Sequence, residues 1–416
     1  MRKGYFLFIV FAALIATGAF QLAACDSTKG QGGEPVETGS NQFTPIIVSL
    51  LTEPHPVLGS DGKYHLVYEL QLTNTTPLIW HINSLEALDR DNQSRVLASF
   101  SGDEVAGKNR VIPGNALSAE IGGGETSLFF ITFTVDSADD IPSAITHRIS
   151  ITVPGGIPEG FLAFLSLPPD ETEIAFVYAD TLVSGQEPVV IGPPLRGGRW
   201  VAADGCCLAH RHVRAALPIN GRYNIAQRFA IDWEKLSDDD LIFVGDPSDV
   251  HSYFSYGEDV LAVASGRVVT AVDKYEDQIP GQLPPGLPIE EADGNYVVLD
   301  LGGGNFGFYA HMIKGSITVK EGDFVTRGQV IGRLGNSGNT SAPHLHFHVI
   351  AGPASLGSNG LPYVADGYEL LARSASTEAF DNAEINGVPL EMVPVPNPGP
   401  HTNDLYLDQS IVNFPE

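Results

Sequence analysis

The stretch Ala342-Pro343-His344-Leu345-His346-Phe347-His348-Val349 decides how this chain is read. Successive side chains of a β-strand point to opposite faces. His344, His346 and His348 therefore share one face, and Leu345, Phe347 and Val349 the other. The apolar side anchors the strand in a core and leaves the imidazole side for chemistry. Such a strand holds metal ligands and proton carriers rigidly; the plainer alternative is an exposed histidine stripe.

Working outward, 416 residues exceed one ordinary domain and predict two. A hydrophobic content of 43% predicts folded material, and 45 glycines with 29 prolines favour turns and strands over helices. The formal charge of −27 argues against nucleic acid as a partner and against electrostatic attachment to anionic lipid. Of the three cysteines, Cys25 falls in a targeting segment, leaving the adjacent pair Cys206-Cys207. Trans neighbours lie closer (~3.8 Å between Cα atoms) than disulfides prefer. No ordinary disulfide framework is expected within one chain.

Residues 1–25 read as an export signal, with Arg2 and Lys3 ahead of an apolar run from Tyr5 to Phe20. The Leu22-Ala23-Ala24-Cys25 that follows resembles the bacterial lipoprotein box. That resemblance implies cleavage before Cys25, lipidation of Cys25, and a protein exported and lipid-anchored on the wall or periplasmic side of the cell membrane. A plain signal peptide or short membrane anchor is the alternative. Asp26 fits retention at an inner membrane. Residues 26–41 are polar and Gly-rich, a flexible tether.

From 42 to 185 the pattern alternates. Tyr64, Leu66, Tyr68, Leu70 and Leu72 share one face, opposed by His65, Glu69 and Gln71. Phe129-Ile131-Phe133-Val135 and Ile149-Ile151-Val153 repeat it, and Ser60-Asp61-Gly62, Gly122-Gly123-Gly124 and Pro154-Gly155-Gly156 punctuate it. The expectation is an immunoglobulin-like β-sandwich without catalytic groups, serving as spacer or binding module. Its His55, His65, His81 and His147 read as ordinary surface or core residues. A Pro/Gly linker over 186–199 leads to a second, antiparallel β domain over 200–368. Strands are expected at Val260–Ala264, Gly266–Val272, Asn295–Leu301, Phe306–His311 and Gln329–Arg333. Gly302-Gly303-Gly304 lies between two of them, so a hairpin turn outranks a phosphate cradle. The acidic, Pro-rich 273–294 is an inserted loop, Tyr368 to Ala372 a short helix, and the remainder of 369–416 an extended tail.

Three segments carry the chemistry: Arg228-Phe229-Ala230-Ile231-Asp232, Phe308-Tyr309-Ala310-His311, and the histidine strand. With Gly322-Asp323-Phe324-Val325-Thr326-Arg327-Gly328-Gln329-Val330-Ile331-Gly332 between them, they resemble the lysostaphin/LytM-type zinc endopeptidases of the bacterial cell wall, the duplicated-hybrid-motif fold. The resemblance covers mainly residues 221–350. It implies zinc held by Asp232 and His346, with His344 and His311 as the proton-handling pair. His348 stands where the family often has Glu and is read as lying at the rim or behind the ligands. His251 is expected to be an exposed loop residue.

One position departs from the family. Its first ligand is a histidine four residues before the aspartate, and here that residue is Arg228. A guanidinium has no lone pair to donate, whereas a catalytic zinc usually keeps three protein ligands. Two outcomes are open. A displaced histidine completes the site, His212 first and His210 second. Alternatively the metal is lost and Arg228 pairs with Asp232. Cys206 and Cys207 could also join the histidines at a metal, against a plain buried pair.

Two functions follow. The first is a zinc metalloendopeptidase cleaving peptide bonds of peptidoglycan. The second is a non-catalytic module of the same fold that binds wall peptides or activates a partner hydrolase. A biotinyl- or lipoyl-like carrier is remote, because no exposed Met-Lys-Met-type turn is present.

Overall fold

The computed structural model describes residues 42–112, 116–165, 167–208, 211–283 and 286–415. The alternating first half forms two antiparallel sheets. One runs Ile46–Leu50, β1 (Tyr64–Asn74), Thr126–Val135, Asn109–Ile112, Ala116–Leu117, with Val57–Leu58 also on β1. The other runs Ile174–Leu182, Ala144–Thr152, Trp80–Asp89, Val96–Ser101. Leu66, Tyr68, Leu70, Phe129 and Ile131 of the first meet Trp80, Leu85, Ile149 and Ile151 of the second in one core, which makes a sandwich.

The opposite face of β1 is not left to solvent. Glu69 is fully buried against Arg228 and Val67 lies in the main core, because the second half of the chain covers this face. Leu128 and Phe130 of the sandwich share an apolar cluster with Ala216 and Ile225. Arg110 donates from Nη1 to the Arg214 carbonyl at 2.7 Å and from Nη2 to that of Ala216 at 3.2 Å. Phe43–Glu416 forms one compact unit. The expected linker is correspondingly not loose: its Val189–Ile191 pairs in parallel with Tyr363–Ala365, since apolar Ile191 and Leu195 are drawn into the core.

The second half is organised by one large sheet. Its elements used below are β2 (Trp200–Ala203), β3 (Ile231–Lys235), β4 (Asn305–Met312), β5 (Leu345–Ile350), β6 (Tyr368–Ser374), helix α1 (Thr377–Asn386) and β7 (Ser410–Asn413). Across the sheet the order is Phe324–Val325, Gly266–Val272, Asn295–Gly302, β4, β5, β3, β2, β7, β6, Met392–Val393. Leu345, Phe347 and Val349 are completely buried with Trp200, Trp233 and Tyr309, the anchoring their alternation predicts. Gly302, Gly303 and Gly304 all take positive φ in the turn into β4, where side-chain-bearing residues would be strained.

Two expectations for the C-terminus are corrected. Tyr368 to Ala372 lies in strand β6, and the predicted extended tail continues the sheet, with β7 pairing both β2 and β6. Burial decides this: Leu370, Leu405, Tyr406, Val412 and Phe414 complete the main core, and a helix at 368–372 would forfeit that pairing.

Candidate metal centre and active site

Register brings the chemistry together. Asp232 on β3 lies opposite His346 on β5, and Ala310 on β4 lies opposite His346 from the other side. On the outer flank, Ala203 of β2 faces Asp232. The site thus spans four adjacent strands. A bulge aims the histidine on β4: the pairing slips between Asn295 and Val297, and His311 sits there at φ 66°. That left-handed conformation is uncommon for a residue with a Cβ and clusters at functional sites.

Two overlapping groups result. His212, Asp232 and His346 place one donor atom each within 4.8 Å of one another, as do His311, His344 and His346. His212 Nε2 stands 3.3 Å from Asp232 Oδ2, while His346 Nδ1 stands 2.7 Å and His344 Nε2 3.4 Å from Asp232 Oδ1. The His212 and His346 rings meet edge-on, centroids 4.8 Å apart.

Carbonyl oxygens fix the imidazoles. His212 Nδ1–H donates to the Asp204 carbonyl at 3.0 Å, His311 Nδ1–H to that of Ser337 at 2.7 Å, and His344 Nδ1–H to that of Ala342 at 2.8 Å. A carbonyl only accepts, so each ring, when neutral, carries its proton on Nδ1 and keeps a lone pair on Nε2. His346 is turned the other way, with Nδ1 toward Asp232 and Nε2 2.9 Å from His348 Nδ1.

Electrostatics mark the place for a cation. Burial pulls the His212 imidazole down, but the carboxylate of Asp232, with help from Asp204, outweighs it and pushes the ring up to about 9. Burial would raise Asp232, yet His212, His344 and His346 hold it well below the usual carboxylate range. Burial, then His344 and His346, holds His311 well below an ordinary histidine. His344 Nε2 is buried without a hydrogen-bond partner. Two imidazoles and a carboxylate are a donor set that zinc accepts with a coordination position left over; a zinc ion fits His212, Asp232 and His346.

A cavity of 260 Å³ opens onto His311 and His346. The inserted acidic loop forms one wall of it, through Ile289, Ala292 and Asp293. Asp293 Oδ2 accepts from Ser355 at 2.6 Å, and burial pushes this carboxyl up to about 6. Sequence reasoning singled out the loop without placing Asp293; an acidic side chain in a Pro-rich insertion carries no signal of facing a cleft.

Several expectations are corrected. Arg228 does not pair with Asp232. Its Nε and Nη2 donate to Glu69 Oε1 and Oε2 at 2.9 and 2.6 Å, and its Nη1 to the Gly360 carbonyl at 2.9 Å. The docked sandwich supplies the carboxylate, which draws the guanidinium away from the site. Of the two places expected for His348, the structure gives the second: it is fully buried, with Nδ1 2.9 Å from His346 Nε2. Cys206 and Cys207 are disulfide-bonded to each other despite their adjacency, so they offer no thiolate to a metal. His251 is exposed as expected. Cys25 and His210 lie outside the described residues.

Residues 250–356 match the family model described as peptidase family M23. The chain contains a peptidase family M23 domain. The matched span holds His311, His344 and His346, while His212 and Asp232 precede it. Over 57 residues the chain is 47% identical to the peptidoglycan DD-endopeptidase ShyA of Vibrio cholerae, a match spanning 14% of this chain and only 13% of that relative's length. Among solved structures, the lysostaphin catalytic domain of Staphylococcus simulans is 25% identical, with 35% of this chain and 80% of that one covered and a TM-score of 0.20. A zinc-containing peptidase from Vibrio cholerae is 14% identical, with 74% and 85% covered and a TM-score of 0.22. Among the described residues no helix is long and apolar enough to cross a membrane.

Proposed function

We propose that this chain is a zinc metalloendopeptidase that hydrolyses peptide bonds of bacterial peptidoglycan, exported and lipid-anchored through Cys25. The observation that carries this reading is the convergence of His212, Asp232 and His346 on one point. His212 replaces the ligand that Arg228 cannot supply. A zinc ion held by these three residues would polarise a scissile carbonyl and lower the pKa of bound water. The chain's own residues do the rest. The Nε2 lone pairs of His344 and His311 accept a proton as general bases, and once protonated donate to a developing oxyanion. The cavity lined by Asp293 and His311 seats the peptide.

Metal analysis of the purified protein tests this. One zinc per chain, lost in His346→Ala and bound more weakly in His212→Ala, together with clearing of peptidoglycan in a gel, supports it. Protein that holds no metal and clears nothing overturns it and leaves the second reading, a module that binds wall or activates a partner hydrolase.

A further inference from the structure

His212 is carried by a single 3-10 turn, Arg211–Arg214. So short a segment has few hydrogen bonds of its own, and those of poorer geometry than an α-helix. Val213 anchors the turn in the main core, and the charged grip on its first residue comes from outside the M23 match. Arg211 Nη1 donates to both oxygens of Asp204, at 2.8 and 2.9 Å, and its Nη2 to both oxygens of Asp381, at 2.5 and 2.6 Å. Asp381 belongs to α1, which is capped by Ser376 accepting from the Ala379 N–H and closed by Gly387 at φ 62°. The helix is itself fixed: Phe380 and Ala383 pack in one buried cluster with Ala203, beside Asp204, and with Ala342, beside the histidine strand. Asp204 therefore grips the turn twice. Its carboxylate takes the Arg211 guanidinium, and its carbonyl takes His212 Nδ1–H. Arg211 also sits at φ 41°, a conformation that side-chain-bearing residues keep only when their surroundings impose it.

We propose that Arg211 and Asp381 are positioning residues for the metal: a carboxylate–guanidinium–carboxylate bridge from the C-terminal helix that aims His212 Nε2 at Asp232. This rests on the reading of His212 as a ligand. The M23 domain thereby depends for its displaced ligand on a C-terminal helix beyond the matched span. Residues behind metal ligands typically change metal affinity by about 10–100-fold when removed.

The sign of the effect separates positioning from simple field effects. Arg211 is a cation beside a cation site, so by Coulomb's law alone Arg211→Gln tightens zinc. If the bridge aims His212, the same change weakens it. The experiment is chelator competition for zinc on the full chain, with Arg211→Gln, His212→Ala and the double variant. The expected result is a roughly 10–100-fold weaker zinc Kd in Arg211→Gln, and no further weakening when it is added to His212→Ala. A tighter or unchanged Kd in Arg211→Gln, or equal weakening in both backgrounds, overturns the proposal while leaving the peptidase reading intact. An unchanged Kd in His212→Ala overturns the ligand reading and this inference with it. Should Arg211→Gln fail to fold, Asp381→Asn releases the guanidinium from the helix. Its weakening of zinc must then also vanish in the His212→Ala background, and equal weakening in both overturns the bridge.

Discussion

Arg228 and Glu69 form a two-pronged ion pair, 2.9 and 2.6 Å long, with 2% and 0% of the residues exposed. It joins the position where the family resemblance leads one to expect a ligand to a strand of the sandwich. Arg228 therefore serves the docking of the two halves. Glu69→Ala leaves a buried, unpaired guanidinium and is expected to destabilise the protein by about 3–5 kcal/mol. The double change Glu69→Met with Arg228→Met removes both charges and is expected to recover most of that loss. Urea denaturation of the three variants checks this; a double variant no more stable than Glu69→Ala contradicts it.

His344 and His311 flank the proposed zinc ligands with their Nε2 lone pairs directed by carbonyls at Nδ1. In the proposed site neither holds the ion. His344→Ala and His311→Ala should each lower kcat by about 10²–10⁴-fold while zinc content stays at one per chain. Turnover of a wall peptide, measured beside metal analysis on the same samples, decides this. Loss of metal in either variant would move that histidine into the ligand set.

The site was legible where one strand wrote it. His344, His346 and His348 alternate with Leu345, Phe347 and Val349, so face and anchoring both follow from a two-residue period. Asp232 and His311 were legible through the motif that accompanies them. The Glu69 partner of Arg228 was not, because 159 residues separate them and only the docking of two folded halves makes them neighbours. Likewise β7 is four residues in a Pro- and Asn-rich tail. Nothing local marks it as a strand until β2 and β6 offer it edges.

His348 donates nothing to solvent. It is wholly buried, with its Nδ1 on His346 Nε2 and its own Nε2 without a hydrogen-bond partner. When His346 Nδ1 binds a cation, His346 Nε2 must carry the proton and donate it to His348 Nδ1. His348→Leu removes that acceptor at similar bulk. Zinc affinity should fall by roughly 10–100-fold with stability little changed. Chelator competition measures the first and thermal melting the second; an unaltered affinity would show that His346 needs no help behind it.

Far from the site, His147 in the sandwich sets a pH response. It is completely buried, accepts at Nε2 from the Tyr68 hydroxyl at 2.8 Å and donates from Nδ1 to the Ala179 carbonyl at 2.9 Å. Both bonds suit the neutral ring, and burial pulls its pKa down from 6.5 to about 4. A histidine depressed in the fold binds its proton more readily when unfolded. Its contribution is therefore complete above pH 6.5 and is lost as the pH falls toward 4. The shift corresponds to about 3 kcal/mol across that window. His147→Gln removes the titration, so the stability gap between wild type and variant should narrow steadily on acidification. Urea midpoints taken at half-unit steps of pH test it; a gap that stays constant through the window would mean that His147 is not the group being protonated.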